Sequence, residues 1–134
     1  MNRDIRDDAV KRHAVLLVDD EKMVLDVGKA ILERLGHAVI TALSGESALD
    51  QYVAHGETIG CAVLDLTMPG MDGKETFKRL REIAPDLPII IASGLAIDQV
   101  LGQFDDTPPT SVIQKPYQIA DLSAKINEFL PSDG

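Results

Sequence analysis

Apolar positions along this chain fall into short unbroken runs separated by longer amphipathic stretches. The runs cover 14–18, 38–42, 61–64, 88–92 and 111–113, and they are rich in Val, Ile and Leu. Continuous rather than alternating runs of this length predict strands buried on both faces, as in a parallel sheet. The intervening stretches have helical spacing. Val24, Val27, Ile31 and Leu35 form one stripe, with Gly36 placed to end the helix. Ser44 is placed to cap a second helix carrying Ala48, Leu49 and Tyr52. Asp72 is placed to cap a third, with Phe77, Leu80 and Ile83 facing inward and Pro85 beyond its end. Ile97, Val100, Leu101 and Phe104 predict a short fourth helix, and Ile119, Leu122, Ile126 and Phe129 a fifth ended by Pro131.

Strand then helix, five times over, predicts an α/β (βα)5 doubly wound fold with right-handed crossovers and helices on both sheet faces. The flavodoxin-like strand order 2-1-3-4-5 would put the third strand in the middle of the five-stranded parallel sheet. There is no internal repeat and no linker. Residues 1–12 and 131–134 are expected to be frayed tails around a domain of residues 13–130. Gly102, Asp105, Asp106, Pro108 and Pro109 disfavour helix, so the end of the fourth helix is expected to be loose.

The chemistry sits at the ends of the strands. Asp19, Asp20 and Glu21 follow the first run, Asp65 the third, Ser93 the fourth and Lys115 the fifth. In a parallel sheet those ends share one edge, the edge where open α/β sheets bind ligands. Three adjacent carboxylates at a buried strand end repel one another, which a cation among them would relieve. Oxygen donors without His or Cys suit a hard ion such as Mg²⁺. With a metal, an ammonium and a hydroxyl around it, a central carboxylate could accept a phosphoryl group as an acyl phosphate. Asp65 on the middle strand is the best candidate.

Composition narrows the alternatives. The chain has 134 residues, enough for one substantial core, and its 4% aromatic content with no Trp makes that core aliphatic. A net charge of −9 argues against binding a phosphate backbone directly. No run approaches the ~20 apolar residues of a membrane span, and the polar N-terminus lacks a signal-peptide apolar region. The single Cys61, in an apolar run, reads as a buried reduced thiol, consistent with a cytoplasmic protein. His13, His37 and His55 show no metal-ligand spacing and read as surface residues.

Four segments together carry a resemblance. VLLVDDE at 15–21, LDLTMPGMDG at 64–73, ASG at 92–94 and QKPY at 114–117 resemble the response-regulator receiver domains of two-component signalling over most of the chain. The resemblance implies that Asp65 takes a phosphoryl group from a phosphohistidine on a histidine kinase or phosphotransfer domain. It implies Mg²⁺ held by Asp20, Asp65 and the backbone carbonyl of Thr67, with Asp19 nearby. Lys115 and Ser93 would contact phosphoryl oxygens, and the Lys115–Pro116 bond would be cis. The chain would then be no enzyme on external substrates; it would assist only its own phosphorylation and dephosphorylation.

The resemblance also shows departures. An aromatic residue often stands three positions before the lysine, where this chain has Val112. Any signal would then pass through backbone shifts around Ser93 and the fourth helix. Val112 and Gln114 resemble the receivers of hybrid histidine kinases. The chain ends after its fifth helix, as expected of a free-standing receiver or one drawn from a larger protein. Three rival readings are weaker. A dehalogenase-type phosphatase would have Asp where Thr67 stands. A flavodoxin-type binder would need a Gly/Ser/Thr-rich loop in place of Asp19-Asp20-Glu21. A protein-binding module that is never phosphorylated would not need the complete set of site residues.

Overall fold

The computed structural model describes residues 13–66, 73–104 and 108–130. The two expected tails, the Asp72 cap, the Pro131 helix stop and the centre of the loose segment lie outside them.

The five runs form strands β1 (Ala14–Val18), β2 (Ala38–Ala42), β3 (Ile59–Asp65), β4 (Ile89–Ser93) and β5 (Ser111–Gln114). Helices α1 (Lys22–Arg34), α2 (Gly45–His55), α3 (Gly73–Ile83), α4 (Ile97–Leu101) and α5 (Ile119–Phe129) connect or follow them. All strand pairs are parallel, in the order β2-β1-β3-β4-β5. β3 is therefore central, as the α/β pattern requires.

Successive strand side chains point to opposite faces, so each central strand feeds two cores. Leu16, Val18, Leu64, Ile89 and Ile91 pack with Ala48, Phe77, Leu80 and Val100, from α2, α3 and α4. Val15, Leu17, Val63 and Ile90 pack with Leu25, Leu32, Leu122 and Ile126, from α1 and α5. In the first core the Phe77 and Phe104 rings meet edge to face, with centroids 4.9 Å apart.

The helix ends follow their local chemistry. Ser44 Oγ accepts the Ser47 N–H at 3.0 Å and caps α2. Gly36, at φ 100°, adopts the left-handed conformation that ends α1. α4 is short, as expected, at five residues.

Three expectations need correction. The α1 stripe of Val24, Val27, Ile31 and Leu35 faces solvent, and Leu25, Gly28 and Leu32 are the residues that pack on the sheet. Ile83, expected inward, is 50% exposed at the last turn of α3. His37, read as a surface residue, is buried, and its Nε2 lies 2.8 Å from Ser123 Oγ on α5.

Candidate functional site: a carboxylate cluster at the strand ends

Strand register builds the site. Val18 is paired with Leu64, Asp65 with Ala92, and Ala92 with Ile113. Extending that row by one residue on β1 brings Asp19 level with Asp65, on the face shared with α1 and α5. Lys115, two residues beyond Ile113, projects to the same face. Ala92, lying between Asp65 and Ile113 in the row, leaves the space open. Ser93 has the opposite parity and is paired with Gln114.

The side chains converge as this register dictates. Lys115 Nζ lies 3.1 Å from Asp65 Oδ2 and 3.8 Å from Asp19 Oδ2. Asp19 and Asp65 are both buried, whereas Asp20 and Glu21 are exposed above them. Asp19 Oδ1 accepts the Glu21 N–H at 3.0 Å, which fixes the turn leading into α1. One carboxylate oxygen from each of Asp19, Asp20 and Glu21 lies within 4.8 Å of the other two. Ser93 Oγ accepts the Leu95 N–H at 3.1 Å, and the Lys115 N–H donates to the Ser93 carbonyl at 2.6 Å. The Lys115–Pro116 peptide is cis. Behind Asp19 and Asp65 lies a mostly apolar cavity of about 30 Å³.

These placements set the proton affinities. Burial pushes the Asp19 carboxyl above its usual value, and the neighbouring Asp65 charge adds to that push. The Glu21 N–H and Lys115 act in the opposite direction. Burial on its own would lower the Lys115 ammonium, but its bond to Asp65 and the charges of Asp65 and Asp19 raise it overall. Lys115 therefore stays charged across the physiological range. The donor set is all oxygen, with surplus negative charge, and suits a hard divalent cation.

Asp19, Asp20, Asp65, Ser93 and Lys115 thus come to one edge of the sheet, while Thr67 lies outside the described residues. Glu21, the last of the acidic triplet, completes the carboxylate cluster. Two participants were not singled out from sequence. Tyr117, half-buried, feels the charges of Lys115, Asp19 and Asp65, and burial raises its phenol. Gly73, at the start of α3, packs directly on the end of β3. A Cβ there would stand 2.5 Å from Leu66 Cα and 2.6 Å from the Asp65 carbonyl. The Lys-Pro-Tyr and Met-Asp-Gly stretches of the sequence carry these two in plain view, but only packing reveals what they do.

A flavodoxin-like parallel sheet with paired aspartates facing a lysine across its carboxyl edge defines the class of acidic-site signalling modules. Comparison with known proteins makes the assignment definite. The family model for the response regulator receiver domain matches residues 15–127, and the chain belongs to that family. It is 33% identical over 116 residues to the sensor kinase CckA of Brucella abortus, covering 87% of this chain and 12% of that protein. It is 34% identical over 118 residues to the regulatory protein PhoP of Bacillus subtilis, covering 87% and 48%. A chain of the CheX-CheY-BeF3-Mg²⁺ complex from Borrelia burgdorferi superimposes with a TM-score of 0.78 at 28% identity, over 86% of this chain and 87% of that one. The chain spans half or less of these curated relatives. As a receiver domain it is a phosphoacceptor signalling module, of the kind that receives phosphoryl groups from histidine kinases. No helix among the described residues is long and apolar enough to cross a membrane.

Proposed function

We propose that Asp65 is the phosphoacceptor and that residues 13–130 form the switching unit. An Asp65 carboxylate oxygen attacks the phosphorus of a phosphohistidine. The P–N bond breaks, and the imidazole leaves with the electron pair. The observation that carries this reading is the Lys115 ammonium, 3.1 Å from Asp65 and 3.8 Å from Asp19. An ammonium on the acceptor oxygen's edge is placed to neutralise charge gathering on the transferring group.

Asp20, Asp65 and the Thr67 carbonyl would hold Mg²⁺, with Asp19 and Glu21 beside them. The bound ion supplies charge neutralisation to the phosphoryl oxygens. Ser93 then turns its hydroxyl from the Leu95 N–H toward a phosphoryl oxygen. Leu95 leads into α4, so this exchange moves the β4–α4 turn. Val112 is buried in the first core and offers no polar group for the readout, leaving backbone movement to carry it. The module works in the cytoplasm, serves only its own phosphorylation and dephosphorylation, and passes its state to a protein partner or an attached domain.

The test is the intact mass of the protein after incubation with a histidine-phosphorylated donor. A gain of one phosphoryl group that needs Mg²⁺ and is absent in Asp65→Asn supports the reading. Equal labelling of the variant refutes it.

A further inference from the structure

The cavity behind the acidic site has a volume of about 30 Å³. One water molecule needs only about 10–15 Å³ of such space, with roughly two to four polar partners. The walls are largely apolar, with Leu25, Val63 and Leu122 among them, but Asp19, Asp65 and Tyr117 line the cavity too. Lys115 does not line it, so the cavity and the ammonium meet the two aspartates from different sides. Asp19 and Asp65 are buried, and a carboxylate set against an apolar void loses hydration that nothing replaces. An ionised carboxylate offers about four acceptor sites. Asp19 spends one on the Glu21 N–H and faces Lys115 with its other oxygen, which leaves further acceptor sites. Tyr117 supplies the matching donor. Its ring packs against the core shared with α1 and α5, and burial raises its phenol, so the hydroxyl stays protonated.

We propose that this cavity binds one water molecule, held between the Tyr117 hydroxyl and the Asp19 and Asp65 carboxylates, and that Tyr117 acts through it as a positioning residue for phosphoryl transfer. The water accepts from the Tyr117 hydroxyl and donates one hydrogen to each carboxylate. It holds Asp65 from behind while Lys115, at 3.1 Å, holds it from the other side. The carboxylate then cannot turn freely, and the attacking oxygen keeps its direction. The positioning role rests on Asp65 being the phosphoacceptor; the water site does not.

The experiment has two readouts. Magnetic relaxation dispersion of the solvent counts long-lived internal waters in the full chain, in chelator. It is run on wild type, Tyr117→Phe and Gly28→Ala. The first variant removes only a hydroxyl. The second adds a methyl group to the cavity wall, where its nearest neighbour is Leu17 Cδ2 at 3.2 Å, a side-chain end that can give way. Wild type should hold one more long-lived water than either variant. The second readout is phosphorylation by a histidine-phosphorylated donor protein in Mg²⁺. Tyr117→Phe should lower the maximal rate roughly two- to tenfold, the scale of one lost hydrogen bond. The donor concentration giving half the maximal rate should not change.

The same water count in wild type and Tyr117→Phe would overturn the proposal, whatever Gly28→Ala does. A count that falls in Tyr117→Phe but stays in Gly28→Ala would place the water elsewhere and overturn the cavity site. A water lost with no change in maximal rate would overturn the positioning role. Wild type and Asp65→Asn labelled alike would overturn the acceptor assignment and the positioning role with it, while the water count stands or falls by itself.

Discussion

Replacing Asp19 by Asn should stabilise the metal-free protein, an unusual result for a buried residue with a defined hydrogen bond. Asn keeps an oxygen for the Glu21 N–H, which Asp19 Oδ1 accepts at 3.0 Å, so the change removes chiefly a charge. One oxygen each of the Asp20 and Glu21 carboxylates lies within 4.8 Å of an Asp19 oxygen. At a water-like dielectric each repels it by at least about 0.9 kcal/mol. Against this stands Lys115 at 3.8 Å, whose attraction on the same basis is about 1.1 kcal/mol. The balance favours the variant by about 0.7 kcal/mol before the repulsion from Asp65 and the cost of burying the carboxylate are included. A gain near 1 kcal/mol is expected.

The pH dependence has a definite sign. Because Asp19 titrates above its ordinary value of 3.8 in the folded protein, the folded state holds that proton more tightly than the unfolded chain does. The stability this provides is complete below 3.8 and is lost as pH rises through the raised folded value. The assay is urea unfolding in a chelator at pH 4 and pH 7, then at pH 7 with saturating Mg²⁺. The variant's advantage should be present at pH 7 in chelator and shrink at pH 4. It should narrow or reverse in Mg²⁺, because ligand binding to the native state favours the wild type more. A loss of 1 kcal/mol or more in chelator at pH 7 would refute the charge-surplus account of the site.

Other substitutions probe its supports. In Gly73→Ala the new Cβ meets backbone of Leu66 and Asp65 at 2.5–2.6 Å; a destabilisation of about 2 kcal/mol and slower phosphorylation are expected, by urea unfolding and intact mass. Lys115→Met should slow phosphorylation while costing only about 1 kcal/mol, because the side chain is 35% exposed. It should also remove an alkaline stability loss: the contribution of Lys115 is complete below 10.5 and fades as pH rises through its raised folded value. Ser123→Ala leaves His37 without its partner at 2.8 Å and should cost about 1–2 kcal/mol. Burial lowers His37 from 6.5, so stability should fall as pH drops below 6.5 and the unfolded chain takes up the proton, a slope that His37→Gln should lack.

The order of elements was legible because strands buried on both faces leave apolar runs that periodicity detects. β3 extends to Ile59 and Asp65, past the 61–64 run, because Gly60 and the terminal Asp interrupt the apolar pattern while the backbone ladder continues. α1 shows where the pattern fails. Apolar residues cover more than one face of that helix, so periodicity alone cannot choose between Val24-Val27-Ile31-Leu35 and Leu25-Gly28-Leu32. Packing chooses the second, since Gly28 has no Cβ and lets Leu17 approach; a Cβ there would stand 3.2 Å from Leu17 Cδ2. His37 escaped notice because its partner, Ser123, is 86 residues away.

For the site, strand ends and residue types were sufficient to bring Asp19, Asp20, Asp65, Ser93 and Lys115 together. A parallel sheet fixes their convergence once the order of elements is known. Tyr117 and Gly73 depend on depth and close approach, which no linear spacing records.

The most direct test of the central claim locates the phosphoryl group. Protein phosphorylated in Mg²⁺ is reduced with borohydride, which converts an aspartyl phosphate to homoserine, and its peptides are sequenced by mass spectrometry. Homoserine at position 65, absent without Mg²⁺ and without donor, is the predicted result. Homoserine at Asp19 or Asp20 with Asp65 unmodified would contradict the account.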